Sequence, residues 1–233
     1  MTNQEPGQTY YRFSLFQRVC HFLVMISFLV LAITGAGLAF SDNAVARAAI
    51  WLMGGQSGAA FLHRLFALII ILLVVIQIIW FVYYKLVLGK SLRGKDTILF
   101  QIYDLKTFGQ NVMYFLGRRK APPEFYRFTY MQKISYWAVF IGMISMGITG
   151  LLLMYPEYFT RFLPGIIINL AQVIHFWEAM LAITLKIIFH SLLEHLRPAI
   201  FPVDKSIFTG EVSESVIYQE HRGEWKALSG KTD

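Results

Sequence analysis

Val173 to Leu196, "VIHFWEAMLAITLKIIFHSLLEHL", is apolar enough to sit in a bilayer, yet it carries His175, Glu178, Lys186, His190, Glu194 and His195. Ionisable groups inside a membrane are costly, so each is a candidate for function. Imidazole is the side chain of choice for haem iron and a common ligand for zinc. On an α-helix the fifteen steps from His175 to His190 leave a residual rotation of roughly 60°, so both rings can face the same interior, about 22 Å apart along the axis. His195, twenty steps from His175, lies about 200° round the helix and is expected to point away. Two ligands on one helix require partners at two depths.

The elements that supply those depths are transmembrane helices. The 233-residue chain is 56% hydrophobic and 16% aromatic, more apolar than a soluble domain of this length requires. Phe22 to Phe40, Leu65 to Tyr84 and Ile134 to Tyr155 contain no Asp, Glu, Lys or Arg. Each is close to the ~20 residues a helix needs to cross the hydrocarbon. With a polar-studded fourth span they predict an all-α integral membrane protein, a bundle of four transmembrane helices over about residues 16–40, 60–86, 131–155 and 166–196. The membrane domain is expected over 1–200 and a cytoplasmic tail over 201–233. With Pro202 and Gly210, that tail reads as extended. Met1 to Tyr11 is polar and lacks the basic start of a cleavable signal, so the first helix is expected to remain.

Charge sets the orientation. From Lys85 to Lys133 there are ten Lys/Arg against three acids, while the other two connections hold little more than Arg47 and Arg161. Cationic loops stay inside, which places this loop and both termini in the cytoplasm. Topology accounts for the basic run, so nucleic acid is not an expected partner. Within the loop, "DLKTFGQNVMYFLG" has the composition of a short amphipathic surface helix.

Orientation then sorts the histidines. Helix 1 enters from the cytoplasm, placing His21 in the inner half; helix 2 enters from outside, placing His63 in the outer half. Helix 4 also enters from outside, with His175 outer and His190 inner. His63 thus levels with His175, and His21 with His190, while His221 lies in the soluble tail. Two bis-imidazole sites stacked across a bilayer suit two b-type haems, since facing helices of a bundle are where such cofactors sit. The alternatives are histidines that merely pack and isolated metal ions. Zinc wants about four ligands per level, and neither HExxH nor CxxC occurs. The single cysteine, Cys20, excludes an intramolecular disulfide and a cysteine-held iron–sulfur cluster. It has Gln17, not a second cysteine, three positions before it, so a haem here is non-covalent.

Lys186 is eleven steps from His175 and one turn from His190, placed to pair with a haem propionate or with Glu178; the alternative is a snorkelling stem. Gly35, Gly37, Gly142, Gly147 and Gly150 would let a flat macrocycle approach the backbone, or serve helix packing. Helix 1 ends "LAITGAGLAF" and helix 3 "MGITGLLLMY", an echo that reads either as shared transmembrane vocabulary or as an old duplication.

"RVCHFLVMISFLVLAITGAGLAF", "HRLFALIIILL", "YMQKISYWAVFIGMISMGITGLLL", "VIHFWEAMLAITLKIIFH" and the tail "RPAIFPVDKSIFTGEV" together resemble the di-haem cytochrome b (gamma) subunits of formate dehydrogenase and their relatives in hydrogenases, thiosulfate reductases and multihaem menaquinol oxidoreductases. The resemblance covers nearly the whole chain. It implies two non-covalent b haems on His21, His63, His175 and His190. It further implies electron transfer between the quinone or menaquinone pool and a partner, an iron–sulfur or multihaem cytochrome c subunit with its catalytic subunit, in a respiratory oxidoreductase of the bacterial inner membrane. It puts quinone beside the inner haem at the start of helix 3. There Thr129-Tyr130-Met131-Gln132-Lys133 stands where formate dehydrogenase has Asn-x-Gly-Gln-Lys, so that Gln132 and Lys133 match while Thr129 and Met131 depart. Glu194 is a further candidate there, for proton handling or simple interfacial solvation. With no molybdopterin, flavin or iron–sulfur motif in the chain, substrate chemistry falls to the partners, and the chain itself carries no catalytic residue. The rival functions are a transporter or assembly anchor with a proton-relay helix, and a stand-alone transmembrane b-type reductase.

Overall fold

A computed structural model describes residues 8–89, 91–198 and 200–230. Met1 to Gly7, Lys90, Ala199 and Lys231 to Asp233, which belong to the expected N-terminal segment, basic loop, end of the membrane domain and tail, lie outside them. In chain order the elements are β1 (Thr9–Tyr11), α1 (Leu15–Ala39), α2 (Ala44–Leu52), α3 (Gly55–Leu86), α4 (Ile102–Phe115), α5 (Tyr130–Met154), α6 (Pro156–Phe159), α7 (Ile166–Ile183), a π-helix (Thr184–His195), α8 (Ser206–Thr209), β2 (Glu211–Ser213), α9 (Glu214–Glu220) and α10 (Arg222–Ser229). Four stretches are long and apolar enough to span a membrane: α1, α3, α5 and Ile166–Leu192. Their large side chains, among them Leu23, Leu29, Leu72, Ile141, Ile148 and Leu181, are exposed on the protein surface, as a hydrocarbon solvent requires.

Helix boundaries follow local chemistry. Asn43 caps α2 by accepting from the Val45 and Ala46 amides at 2.8 and 3.4 Å. The turn into α3 uses Gly54 and Gly55 at φ 84° and 79°, a conformation that costs glycine little. Thr129 and Gln132 form a reciprocal box at the start of α5: the Thr129 amide donates to Gln132 Oε1 and the Gln132 amide to Thr129 Oγ1, each at 3.1 Å. The amphipathic loop helix expected within Asp104–Gly117 is α4.

From Thr184 the last span winds as a π-helix, with each amide bonding five residues back rather than four. The angular arithmetic for Lys186, His190 and His195 assumed 3.6 residues per turn. In this wider winding residues five apart align, so His195 lies on the face of His190 rather than pointing away.

The chain divides into two compact units. One, Phe16–Trp80 with Val139–Leu193, holds most of the membrane spans. The other gathers Met1–Leu15, Phe81–Ala138 and Glu194–Asp233. In this second unit β1 and β2 pair antiparallel, Thr9 opposite Ser213 and Tyr11 opposite Glu211. The tail is therefore folded, not extended. Pro202 and Gly210 interrupt it only locally; Val216, Ile217 and Trp225, all buried, are the apolar set that closes it. Fully burying a side chain of this kind stabilises by about 1.5–3 kcal/mol.

Polar contacts join the N-terminal segment, loop and tail inside that unit. Arg12 is buried and meets Glu224 at 3.1 Å; its guanidinium donates to the Arg127 carbonyl, and the Arg127 guanidinium donates to the Arg12 carbonyl. His221, 2% exposed, donates from Nδ1 to the Tyr126 carbonyl at 2.6 Å. Burial pushes its pKa down to about 3, helped by the Arg12 charge and opposed by the Tyr126 bond, so it is a neutral donor at physiological pH. Arg197 holds Glu220 with two bonds of 2.6 and 2.7 Å. Lys133 is 1% exposed, donates to Asp104 Oδ2 at 2.9 Å and to the Leu99 carbonyl at 3.2 Å.

Candidate haem-binding site

The four histidines come together as two pairs in the unit formed by Phe16–Trp80 and Val139–Leu193. The His63 ring on α3 and the His175 ring on α7 have centroids 6.4 Å apart and planes at 60°. The His21 ring on α1 and the His190 ring on the π-helix are likewise 6.4 Å apart, with planes at 43°. Rings in direct stacked contact sit closer than this. A metal taking one nitrogen from each ring at about 2 Å, with each ring centre roughly 1 Å beyond its nitrogen, separates the centres by about 6 Å. Both pairs therefore have the spacing of a bis-imidazole iron site, and the donor set fits haem.

His63 Nδ1 lies 2.9 Å from Thr34 Oγ1, and His175 Nδ1 lies 2.9 Å from Thr149 Oγ1. Thr34 and Thr149 are themselves 0% and 6% exposed. Each hydroxyl also bonds to its own helix: Thr34 to the Val30 carbonyl at 2.7 Å, Thr149 to the Ser145 carbonyl at 2.9 Å. The glycine that follows each threonine faces the same ring. A Cβ on Gly35 would stand 3.5 Å from His63 Cε1, and one on Gly150 would stand 3.4 Å from His175 Cε1. The two "ITG" segments are thus one device used twice, each seating the histidine of the next long helix. The sequence reading noticed the repeat but missed the threonines, because their bonds reach 29 and 26 residues along the chain.

The other small residues divide by neighbour. Gly37 packs against Ile50 and Gly147 against Ile71, which is helix packing, while Gly142 faces Glu178 Oε1. Glu178 accepts from Ser145 Oγ at 2.5 Å. Lys186 is half-buried on the π-helix, where its carbonyl accepts from Ser191 Oγ at 3.2 Å.

The residues expected around quinone all fall in the other unit. Thr129, Gln132 and Glu194 are neighbours there: besides capping α5, Gln132 hydrogen-bonds the Glu194 carboxyl. Burial raises the Glu194 pKa against the opposing pull of Arg197 and of that bond. Lys133 instead turns to Asp104 and Leu99.

The family described as prokaryotic cytochrome b561 matches residues 12–210. A comparison with curated proteins finds no match. That match takes in all four spans and all four paired histidines, so the chain is a membrane b-type cytochrome and belongs to the prokaryotic cytochrome b561 family.

Proposed function

We propose that this chain holds two b haems, one between His63 and His175 and one between His21 and His190, and relays electrons between a quinone and a partner redox subunit in the bacterial inner membrane. The observation that carries the reading is the common ring separation of 6.4 Å in two independent pairs. Bound haem supplies a one-electron couple; the protein supplies imidazoles at two levels and a water-poor path. Lys186, half-buried four residues before His190, is the residue we assign to a propionate.

Quinone chemistry also needs hydrogen-bonding groups for two carbonyls and a source of protons. Thr129, Gln132 and Glu194 form such a cluster, and Glu194 lies four residues beyond His190 on the same helix. Burial there favours its protonated form, which suits a group that hands on a proton. Lys133 belongs to the supporting frame, since its ammonium is already bonded twice.

Purification in mild detergent tests the whole reading. We expect about two non-covalent b haems per chain by pyridine haemochrome and a co-purifying iron–sulfur or multihaem cytochrome c subunit. Glu194→Gln is expected to slow quinone-linked turnover by about 100-fold or more with both haems retained. A haem-free preparation would favour a transporter. A haem-loaded chain without partners would favour a stand-alone reductase. Unchanged turnover in Glu194→Gln moves the quinone elsewhere.

We further propose that both termini and the 91–129 loop are cytoplasmic. The excess of basic residues in that loop supports the side. The joining of the N-terminal strand, loop and tail in one compact unit supports their lying together. Reporters fused at Lys90 or Asp233 should read cytoplasmic and insertions near Gly55 or Pro164 external. An external C-terminus would break the pairing by depth. The partner is then expected on the external connections.

A further inference from the structure

We infer that Thr34 and Thr149 are positioning residues that fix the tautomer of His63 and His175 and thereby set the reduction equilibrium of the haem between them. The inference rests on the assignment of those histidines as ligands and goes beyond it to the groups behind them. A threonine hydroxyl has one hydrogen. At Thr34 that hydrogen is committed to the Val30 carbonyl at 2.7 Å, with Leu31 O at 3.2 Å sharing it. At Thr149 it goes to the Ser145 carbonyl at 2.9 Å, with Met146 O at 3.3 Å. Toward the imidazole, each Oγ1 therefore acts as an acceptor, and the ring nitrogen 2.9 Å away must be the N–H. The proton is held on Nδ1 of both rings, leaving the Nε2 lone pair for iron.

Three features make this a built arrangement. Both threonines are almost wholly buried, so no water competes for the bond. Each is anchored to a rigid helix by its own back-bond. The adjoining Gly35 and Gly150 lie beside the same rings, where an added Cβ would already be in van der Waals contact with the imidazole. A hydrogen bond accepted from Nδ1–H makes the imidazole a stronger donor through Nε2 and favours the oxidised iron. Groups in this outer position orient the ligand and raise its basicity. Because the device occurs on both sides of one haem, its effect is doubled there.

The test uses the full chain with Thr34→Val, Thr149→Val and the double variant, each nearly isosteric but without the hydroxyl, and with Thr34→Ser and Thr149→Ser, which keep it. Optical redox titration and low-spin EPR spectra of the haem that is lost in His63→Ala are the readouts. Each valine variant should shift that haem's equilibrium toward the reduced form by about 3- to 10-fold, where tenfold is 59 mV for one electron. The shift should be larger in the double variant, with the haem lost in His21→Ala unaffected. Serine should restore the wild-type value. If valine ejects the haem, affinity titration replaces potential: about 10–100-fold weaker binding in valine and near-normal binding in serine supports the role. Unchanged potential and EPR in both valine variants, or equal loss in serine and valine, overturns it. Retention of both haems in His63→Ala would instead overturn the ligand assignment on which it stands.

Discussion

His63→Ala or His175→Ala is expected to reduce the haem content of the purified chain from about two to about one, and His21→Ala or His190→Ala to remove the other. In the proposed arrangement each haem would take two imidazoles from two helices, and an alanine removes one of them from an apolar, lipid-facing bundle. The loss should be selective by pair, because His63 and His175 face one another at 6.4 Å, and His21 and His190 do the same. Reduced-minus-oxidised spectra resolved by potential give the measurement. His195→Ala is the demanding control. The π winding puts His195 on the same face as His190, five residues on, so the α-helical argument for setting it aside no longer holds. His190 is assigned on its ring spacing of 6.4 Å to His21, and this variant tests that assignment. Loss of haem in His195→Ala with retention in His190→Ala would reverse that choice, and loss of both haems from any single variant would show that the pairs are not independent.

Lys133→Leu should destabilise the protein by about 3–5 kcal/mol, the cost of leaving a buried partner charge uncompensated. Its partner Asp104 is 5% exposed and also caps α4 by accepting from the Gln101 amide at 2.7 Å, so its carboxylate has no route to water. Lys133→Met with Asp104→Leu removes both charges and should recover most of that loss, less about 1 kcal/mol for the forfeited cap. Thermal unfolding in detergent, with haem absorbance and tryptophan fluorescence followed together, reads the difference. A Lys133→Leu protein as stable as the wild type would show that the pair carries little. The result also guards the quinone experiment: lost turnover in Lys133→Leu reports a disturbed frame, whereas Glu194→Gln preserves shape and tests the proposed proton group directly.

Much of this was legible in the residues. The number of spans and the existence of α4 depend on apolar length and local polarity, which need only a window of the chain. The pairing of histidines also followed, because the direction of each span and a fixed rise per residue give depth without any knowledge of side-chain contacts. The expectation of an extended tail weighed the breakers at Pro202 and Gly210 above Val216, Ile217 and Trp225, which are buried, and local sequence does not show that β2 pairs with β1 about 200 residues earlier. Lys133 was legible as a functional candidate but not as the partner of Asp104, 29 residues earlier.

The sequence by itself determined four apolar spans with histidines at two matched depths, because bilayer thickness and helix geometry act on every residue locally. Only the tertiary structure decided how the rings are held. Thr34 and Thr149 find His63 and His175 across helices, a π-helix re-aims His190 and His195, and Lys133 closes on Asp104. Each of these depends on which side chain happens to lie opposite in space, and buried polar groups take whatever partner the packing presents, because leaving them unpaired costs more than any local preference.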